Sequence, residues 1–226
     1  MSGLNINKSK FFSLREIGFW IISIAIIASS AWLGYRWYFF GDELPVPIAQ
    51  AQADPNVDEK PVTKKQVDEH KVPASNPRYI SIPKLGVEET RIFPTGVEKN
   101  GQLGAPANIS DAVWYKDSAL PGSGSGAVLI DAHNGGVTRN GVFSGLNKLT
   151  KGDEIIVERG DGKKITYTVV ENESMSLEEA NKTGMQKMMK SAEEDKEGLS
   201  LITCDGKWVP RYQQFDRRIM LRAVAK

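Results

Sequence analysis

Cysteine is nearly absent from this chain. Its 226 residues hold one, Cys204. A lone thiol rules out an internal disulfide and a thiol-rich zinc site. Histidine is almost as scarce, with only His70 and His133. Charge bias is missing too. The net charge of +1 offers no electrostatic case for a nucleic-acid partner. No internal repeat is visible, so nothing points to a solenoid or propeller. Residues 41–77 contain no aromatic side chain and carry six of the eleven prolines. Such a stretch cannot bury a core and is expected to be an extended, flexible tether. His70 lies in it and reads as a solvated residue. The stretch "VTKKQVDEHKV" is too weak a signal to assign a helix.

What is present begins with one long apolar run. Residues 17–35, "IGFWIISIAIIASSAWLGY", carry no charge. As a helix they span roughly 28 Å, about the thickness of a bilayer core. Lys8, Lys10 and Arg15 precede the run, and Arg36, then Asp42 and Glu43, follow it. That asymmetry predicts a cytoplasmic N-terminus. Trp32, Tyr35, Trp37, Tyr38, Phe39 and Phe40 suit the far membrane–water interface. A cleaved signal peptide is the main rival reading, although "ASSA" at 28–31 is only a loose cleavage-site match. Either way, the rest of the chain is expected outside the cytoplasmic membrane. A solitary cysteine there means intermolecular pairing, a reactive thiol or a plain buried residue.

From Arg78 onward, short strands alternate with turns. "RYISIP", "TRIFP", "GAVLIDAH", "DEIIVER", "KKITYTVVEN", "LSLITC" and "RIMLRAV" read as strands. "GDG" at 160–162 marks a hairpin. Met185, Met188 and Met189 share one face of a short helix, where core packing explains them better than a ligand site. About eight strands with one or two short helices predict a mainly β domain, a closed or nearly closed barrel.

In "LSLITC", Leu199, Leu201 and Thr203 take one face and Ser200, Ile202 and Cys204 the other. Asp205-Gly206 then breaks the strand. A nucleophilic cysteine needs a nearby histidine or positive charge to gain thiolate character. The only histidine after the tether, His133, also ends an apolar strand before a Gly-containing turn. Acyl transfer further needs a group that stabilises an oxyanion. Arg217, Arg218 and Arg222 lie in the last strand. Arg218 shares a face with Met220 and Arg222, and Arg217 shares the other with Ile219.

Five segments in order resemble the sortases. "YISIPKLGV" is similar to that family's opening strand, and "AVLIDAH" to the strand carrying its histidine. "GVFSGLNKLTKGDEI" follows the histidine as it does there. "LITC" resembles the Thr-Leu-x-Thr-Cys signature, with Ser200 at the first threonine, and "RIMLRA" resembles the last strand. The resemblance covers about 78–226. It implies an eight-stranded sortase-like β-barrel and a cysteine transpeptidase. Cys204 would be the nucleophile, His133 the general acid/base, and Arg218 the oxyanion or substrate group, with Arg217 as the alternative. Ala132 replaces a glycine of the family pattern. Asp131 replaces a small or apolar residue. In a regular strand Asp131 shares a face with His133, where it would orient the imidazole or perturb its pKa; in an irregular one it points elsewhere.

The chain then divides into a cytoplasmic N-terminus (1–16), a transmembrane signal-anchor helix with interfacial aromatics (17–40), a flexible extracytoplasmic linker (41–77) and a sortase catalytic domain (78–226). The implied partners are surface proteins bearing a C-terminal sorting signal similar to Leu-Pro-x-Thr-Gly, an amine acceptor on a peptidoglycan precursor or a pilin lysine, and the membrane. No cofactor is expected. Calcium, used by some sortases, is represented here only by Glu178, Glu179, Glu193, Glu194 and Asp195, which read as solvated helix ends. "LPGSG" at 120–124 resembles a sorting signal but reads as a turn before a strand. "GSGSG" leads into a strand rather than a helix, so it is not a phosphate loop. Two rival functions remain at this stage: a hydrolytic cysteine peptidase, and a non-catalytic surface module with a buried thiol.

Overall fold

The computed structural model describes residues 13–45 and 57–226. The expected cytoplasmic stretch up to residue 12 and the linker's residues 46–56 lie outside the described residues. Eight strands close into a barrel in the order β1-β2-β3-β4-β7-β8-β6-β5. They are β1 (Pro77–Ile82), β2 (Val87–Thr95), β3 (Ala112–Tyr115), β4 (Ala127–Ala132), β5 (Glu154–Arg159), β6 (Lys164–Ser176), β7 (Gly198–Val209) and β8 (Gln214–Ala225). Closure leaves no strand edge unpaired, which removes the main aggregation hazard of a β-domain. Two neighbouring pairs, β2–β3 and β4–β7, are parallel. A parallel pair needs a long crossover. Between β4 and β7 that crossover is supplied by β5, β6 and a short helical segment.

Alternation decides which side chains fill the barrel. Val128 and Ile130 of β4, Leu199 and Leu201 of β7, and Leu221 and Ala223 of β8 point inward with Phe143 and Tyr167. Each fully buried aliphatic side chain contributes about 1.5–3 kcal/mol. The opposite residues, Leu129, Ile202 and Met220, form a second cluster on the outside. The segment after β6 covers them. It comprises α3 (Leu177–Glu179), a π-type turn (Ala180–Gly184) and α4 (Met185–Met188). Met188 is buried in this outer cluster, with Met185 and Met189 packed around it. The three methionines are packing residues. A Cβ at Gly184 would meet the sulfurs of Met220 and Met175 at 2.7 and 2.8 Å, so a larger residue there would make those side chains shift.

The "LPGSG" stretch is a turn anchored by one buried carboxylate. Glu197 accepts hydrogen bonds from the Gly122 and Gly124 amides at 2.9 and 2.7 Å, and from the Tyr167 hydroxyl. Burial and that carboxylate together push the Tyr167 hydroxyl well above its usual range.

At the N-terminal end, α1 (Leu14–Phe40) is opened by a capping box between Ser13 and Glu16 and closed by Gly41 at φ 67°. It starts three residues earlier than the apolar run, because the capping box sets its first turn. The helix is long and apolar enough to cross a membrane. None of its residues is buried against the protein.

Composition predicts a mobile tether over 41–77, but residues 57–76 lie against the barrel. The Asp58 amide donates to Ala107 O at 3.0 Å, and the Ile109 amide returns to Asp58 O at 2.9 Å. Glu59 accepts from the Val137 and Thr138 amides at 2.5 and 3.0 Å. Thr63 and Gln66 cap α2 (Lys64–Asp68). His70 is half-buried rather than solvated: its Nε2–H donates to Ile92 O at 2.9 Å. Burial holds its pKa below the usual imidazole value, and the Arg91 and Arg78 charges act the same way. A segment without a core of its own can still be ordered when its backbone groups find partners on neighbouring loops. Composition does not record such partners.

Candidate active site

Cys204 lies midway along β7, and its partner across the strand pair is Arg218 of β8. Asp205-Gly206 does not break the strand as the sequence suggests but begins a bulge, after which β7 runs on to Val209. Directly opposed Cα atoms in such a pair are about 4.5–5.5 Å apart. Both side chains belong to the outer face, since Thr203 is buried inward while Ile202 and Met220 belong to the outer cluster. The register irregularity in this hairpin falls between Asp205 and Trp208, beyond the Cys204–Arg218 pair. The bulge therefore leaves Arg218, not Arg217, opposite the cysteine. Arg217 pairs with Asp205 and is committed to β6: its Nε donates to Ser174 Oγ at 2.9 Å and its NH2 group to Ser174 O at 2.7 Å. Arg218 donates to the carbonyls of Phe215 and Arg217 at 2.9 and 2.8 Å, which holds the guanidinium close to its own strand.

His133 follows β4 directly. β4 and β7 run parallel with Ile130 beside Leu201 and Asp131 beside Ile202. One step further, Thr203 Oγ1 donates to Ala132 O at 2.7 Å, a buried bond that ties the two strands together. The next residues along the two chains are His133 and Cys204. The His133 backbone is fixed from the other side, where the Phe143 amide donates to His133 O at 3.0 Å. Gly141 must be glycine, since a Cβ would lie 2.1 Å from that same oxygen. The ring is oriented by a bond from Nε2–H to Pro106 O at 2.7 Å. A carbonyl can only accept, so Nε2 carries a proton.

Asp131 sits on this outer face in a regular part of β4, next to Ile202. Burial pushes its pKa up to about 7, against the opposing pull of the Arg218 charge and the Ala132 amide. It is thus electrostatically coupled to the arginine of the site.

Two of the five acidic residues considered for calcium have other partners. Glu179 closes a capping box with Ser176, and Glu193 pairs with Lys196 at 2.7 Å. Among the described residues, no three His, Cys, Asp or Glu side chains gather as a metal site. Sequence reasoning missed the Thr203–Ala132 tie, the Pro106 carbonyl and the Gly141 contact. The first had a faint signal, a threonine on the inward face one residue before the cysteine. The other two come from remote loops and had none.

The Cys204 thiol and the Arg218 guanidinium thus belong to the outer face of the β7–β8 pair, and His133 follows the end of the adjacent strand β4. That set of groups can perform nucleophilic acyl transfer. The Sortase domain family model matches residues 80–226. No curated protein matches the chain in sequence. Solved structures share its fold. A pilus-related sortase C of Group B Streptococcus is 20% identical, with a TM-score of 0.50, over 88% of this chain and 89% of that one. The Streptococcus pneumoniae sortase C is 21% identical, with a TM-score of 0.50, over 76% and 79%. A lid mutant of sortase A from Corynebacterium diphtheriae is 20% identical, with a TM-score of 0.50, over 72% and 76%. With the matched region spanning the whole barrel from β1 to the C-terminal strand, this chain belongs to the sortase family.

Proposed function

We propose that the chain is a membrane-anchored cysteine transpeptidase that cleaves an LPxTG-like sorting signal and joins the released acyl group to an amine at the cell surface. The observation that carries this reading is the placement of Cys204 opposite Arg218 and, through the Thr203–Ala132 bond, next to His133. In the first step the Cys204 thiol passes its proton to His133, and the resulting thiolate attacks the carbonyl carbon of the signal's threonine. Arg218 stabilises the tetrahedral oxyanion. The C–N bond breaks, and His133 gives a proton to the departing amine. The thioester then meets the acceptor amine. His133 takes up a proton, and the thiolate leaves as the new amide forms. The acceptor is a peptidoglycan precursor or a pilin lysine. The α1 helix spans the membrane with its N-terminus cytoplasmic, which puts the barrel on the outer side.

The test is covalent capture. Incubated with an LPxTG peptide, the protein should gain the mass of the N-terminal fragment on Cys204, and Cys204→Ala should gain nothing. An adduct of equal yield in the variant would overturn the proposal. Product analysis with and without an added amine separates transfer from hydrolysis: a transpeptidase forms the amide whenever amine is present, and a peptidase releases only the free acid.

A further inference from the structure

The end of α1 is not simply the start of a tether. Its last turn leaves carbonyl oxygens without helical partners, as every helix C-terminus does. One of them, Tyr38 O, accepts the Arg211 amide of the β7–β8 turn at 3.2 Å. The Arg211 guanidinium lies 4.7 Å from the Phe39 ring centre and 5.3 Å from that of Tyr212. Asp42 bridges the two elements: it accepts from Lys207 Nζ at 2.8 Å and from Arg36 Nε at 2.6 Å. Gly41, at φ 67°, lets the backbones touch, since a Cβ there would lie 2.4 Å from Trp208 O. Four contacts of different chemistry thus seat the end of the β7–β8 hairpin on the helix end.

The helix length fixes where that seat lies. Twenty-seven residues rise about 40 Å, against a hydrocarbon core of about 30 Å. The surplus falls in the interfacial layer, where Tyr35, Trp37, Tyr38, Phe39 and Phe40 crowd the last turns. The turn that grips residues 38–42 is at the same height. It presents Tyr212 at 57% exposure, with Lys207, Arg211 and Gln213 also exposed. Tyrosine and arginine side by side suit a phospholipid headgroup, the ring among the glycerol and upper acyl groups and the guanidinium on phosphate.

We propose that the β7–β8 turn is a membrane-contacting element, seated on phospholipid headgroups by the chain's own helix end. The inference rests on the membrane anchoring of α1. Cys204 precedes Trp208 by four residues, at most about 13 Å along an extended strand. The thiol therefore works just above the bilayer surface, and the scissile bond of its substrate must come to that height. A barrel on a free tether would have no such constraint.

The experiment uses the full chain in phosphatidylcholine vesicles. An environment-sensitive fluorophore is placed on a single cysteine in a Cys204→Ala background, at Tyr212→Cys, at Lys163→Cys on the opposite end of the barrel, or at Ile24→Cys within α1. Spin-labelled lipid quenches what touches the bilayer. The expected result is strong quenching at 24, quenching at 212 at least about twofold above that at 163, and a fall at 212 but not at 24 when Gly41→Val is added. Quenching at 24 alone overturns the proposal while the anchor stands. Equal quenching at 212 and 163 overturns it as well, because the barrel then adsorbs without orientation. No quenching at 24 removes the anchoring reading and this proposal with it.

Discussion

Replacing Asp131 by asparagine removes an ionisable carboxyl while keeping its shape. In the folded protein burial raises the Asp131 pKa from 3.8 to about 7. Between those values the unfolded chain has released the proton and the folded protein still holds it. Stability of the wild type therefore falls as pH rises through that window and levels off above it. Each tenfold change in acidity is about 1.4 kcal/mol, so the loss is bounded near 4 kcal/mol. Asp131 keeps partial exposure and Arg218 favours its charged form, so about 1–2 kcal/mol is expected, or a few degrees in Tm. Thermal unfolding of the detergent-solubilised chain, followed by near-UV circular dichroism, measures it. Asp131→Asn should match the wild type near pH 4 and exceed it at pH 8. Parallel profiles for the two proteins across this range would refute the assignment of a raised pKa. The same charge bears on turnover under the proposed mechanism, in which ionised Asp131 would compete with the oxyanion for Arg218 above pH 7; the asparagine variant should then hold its rate better on the alkaline side.

Thr203→Val removes the bond to Ala132 O while keeping the side-chain shape. It should cost about 1–2 kcal/mol of stability, and kcat should fall more than KM changes, because the strands leading to His133 and Cys204 are no longer tied. Gly141→Ala puts a methyl group against the His133 carbonyl; a backbone shift costing about 1–3 kcal/mol and a loss of peptide cleavage of about tenfold or more are expected, and unchanged cleavage would show that the His133 backbone position is not critical. Glu197→Ala leaves the Gly122 and Gly124 amides and the Tyr167 hydroxyl without their acceptor. Denaturant titration should show a loss of about 3 kcal/mol with little change in the thiol's reactivity, since the turn lies at the end of β4 away from the site.

Much of the barrel is legible in local pattern. Strand alternation is a property of neighbouring residues, so the faces of "LSLITC" and of "DRRIMLRA" could be read directly, and they match the inward and outward clusters. The "GDG" hairpin between β5 and β6 is equally local. The choice between Arg217 and Arg218 was not legible, because it depends on where a bulge falls. A bulge before Cys204 would have exchanged the two faces; the one present comes after it. Residues 57–76 are the plainest divergence. Their polar, proline-rich composition is that of a tether, yet their partners lie far along the chain: Asn108 Nδ2 donates to Lys60 O, and the Thr138 amide to the Glu59 carboxylate.

The sequence by itself determined the apolar helix, seven of the eight strands and their faces, and the scarcity that made one cysteine and one histidine conspicuous, because these follow from composition and from periods of a few residues; the four-residue β3 (Ala112–Tyr115) was too short to show a period. Only the tertiary structure decided that β4 lies parallel beside β7, that Arg218 stands opposite Cys204, that Asp131 is buried enough to be pushed towards neutral pH, and that the helix end grips the β7–β8 turn. Each of these depends on pairing between segments far apart in the chain, and on the burial and local dielectric that such pairing creates.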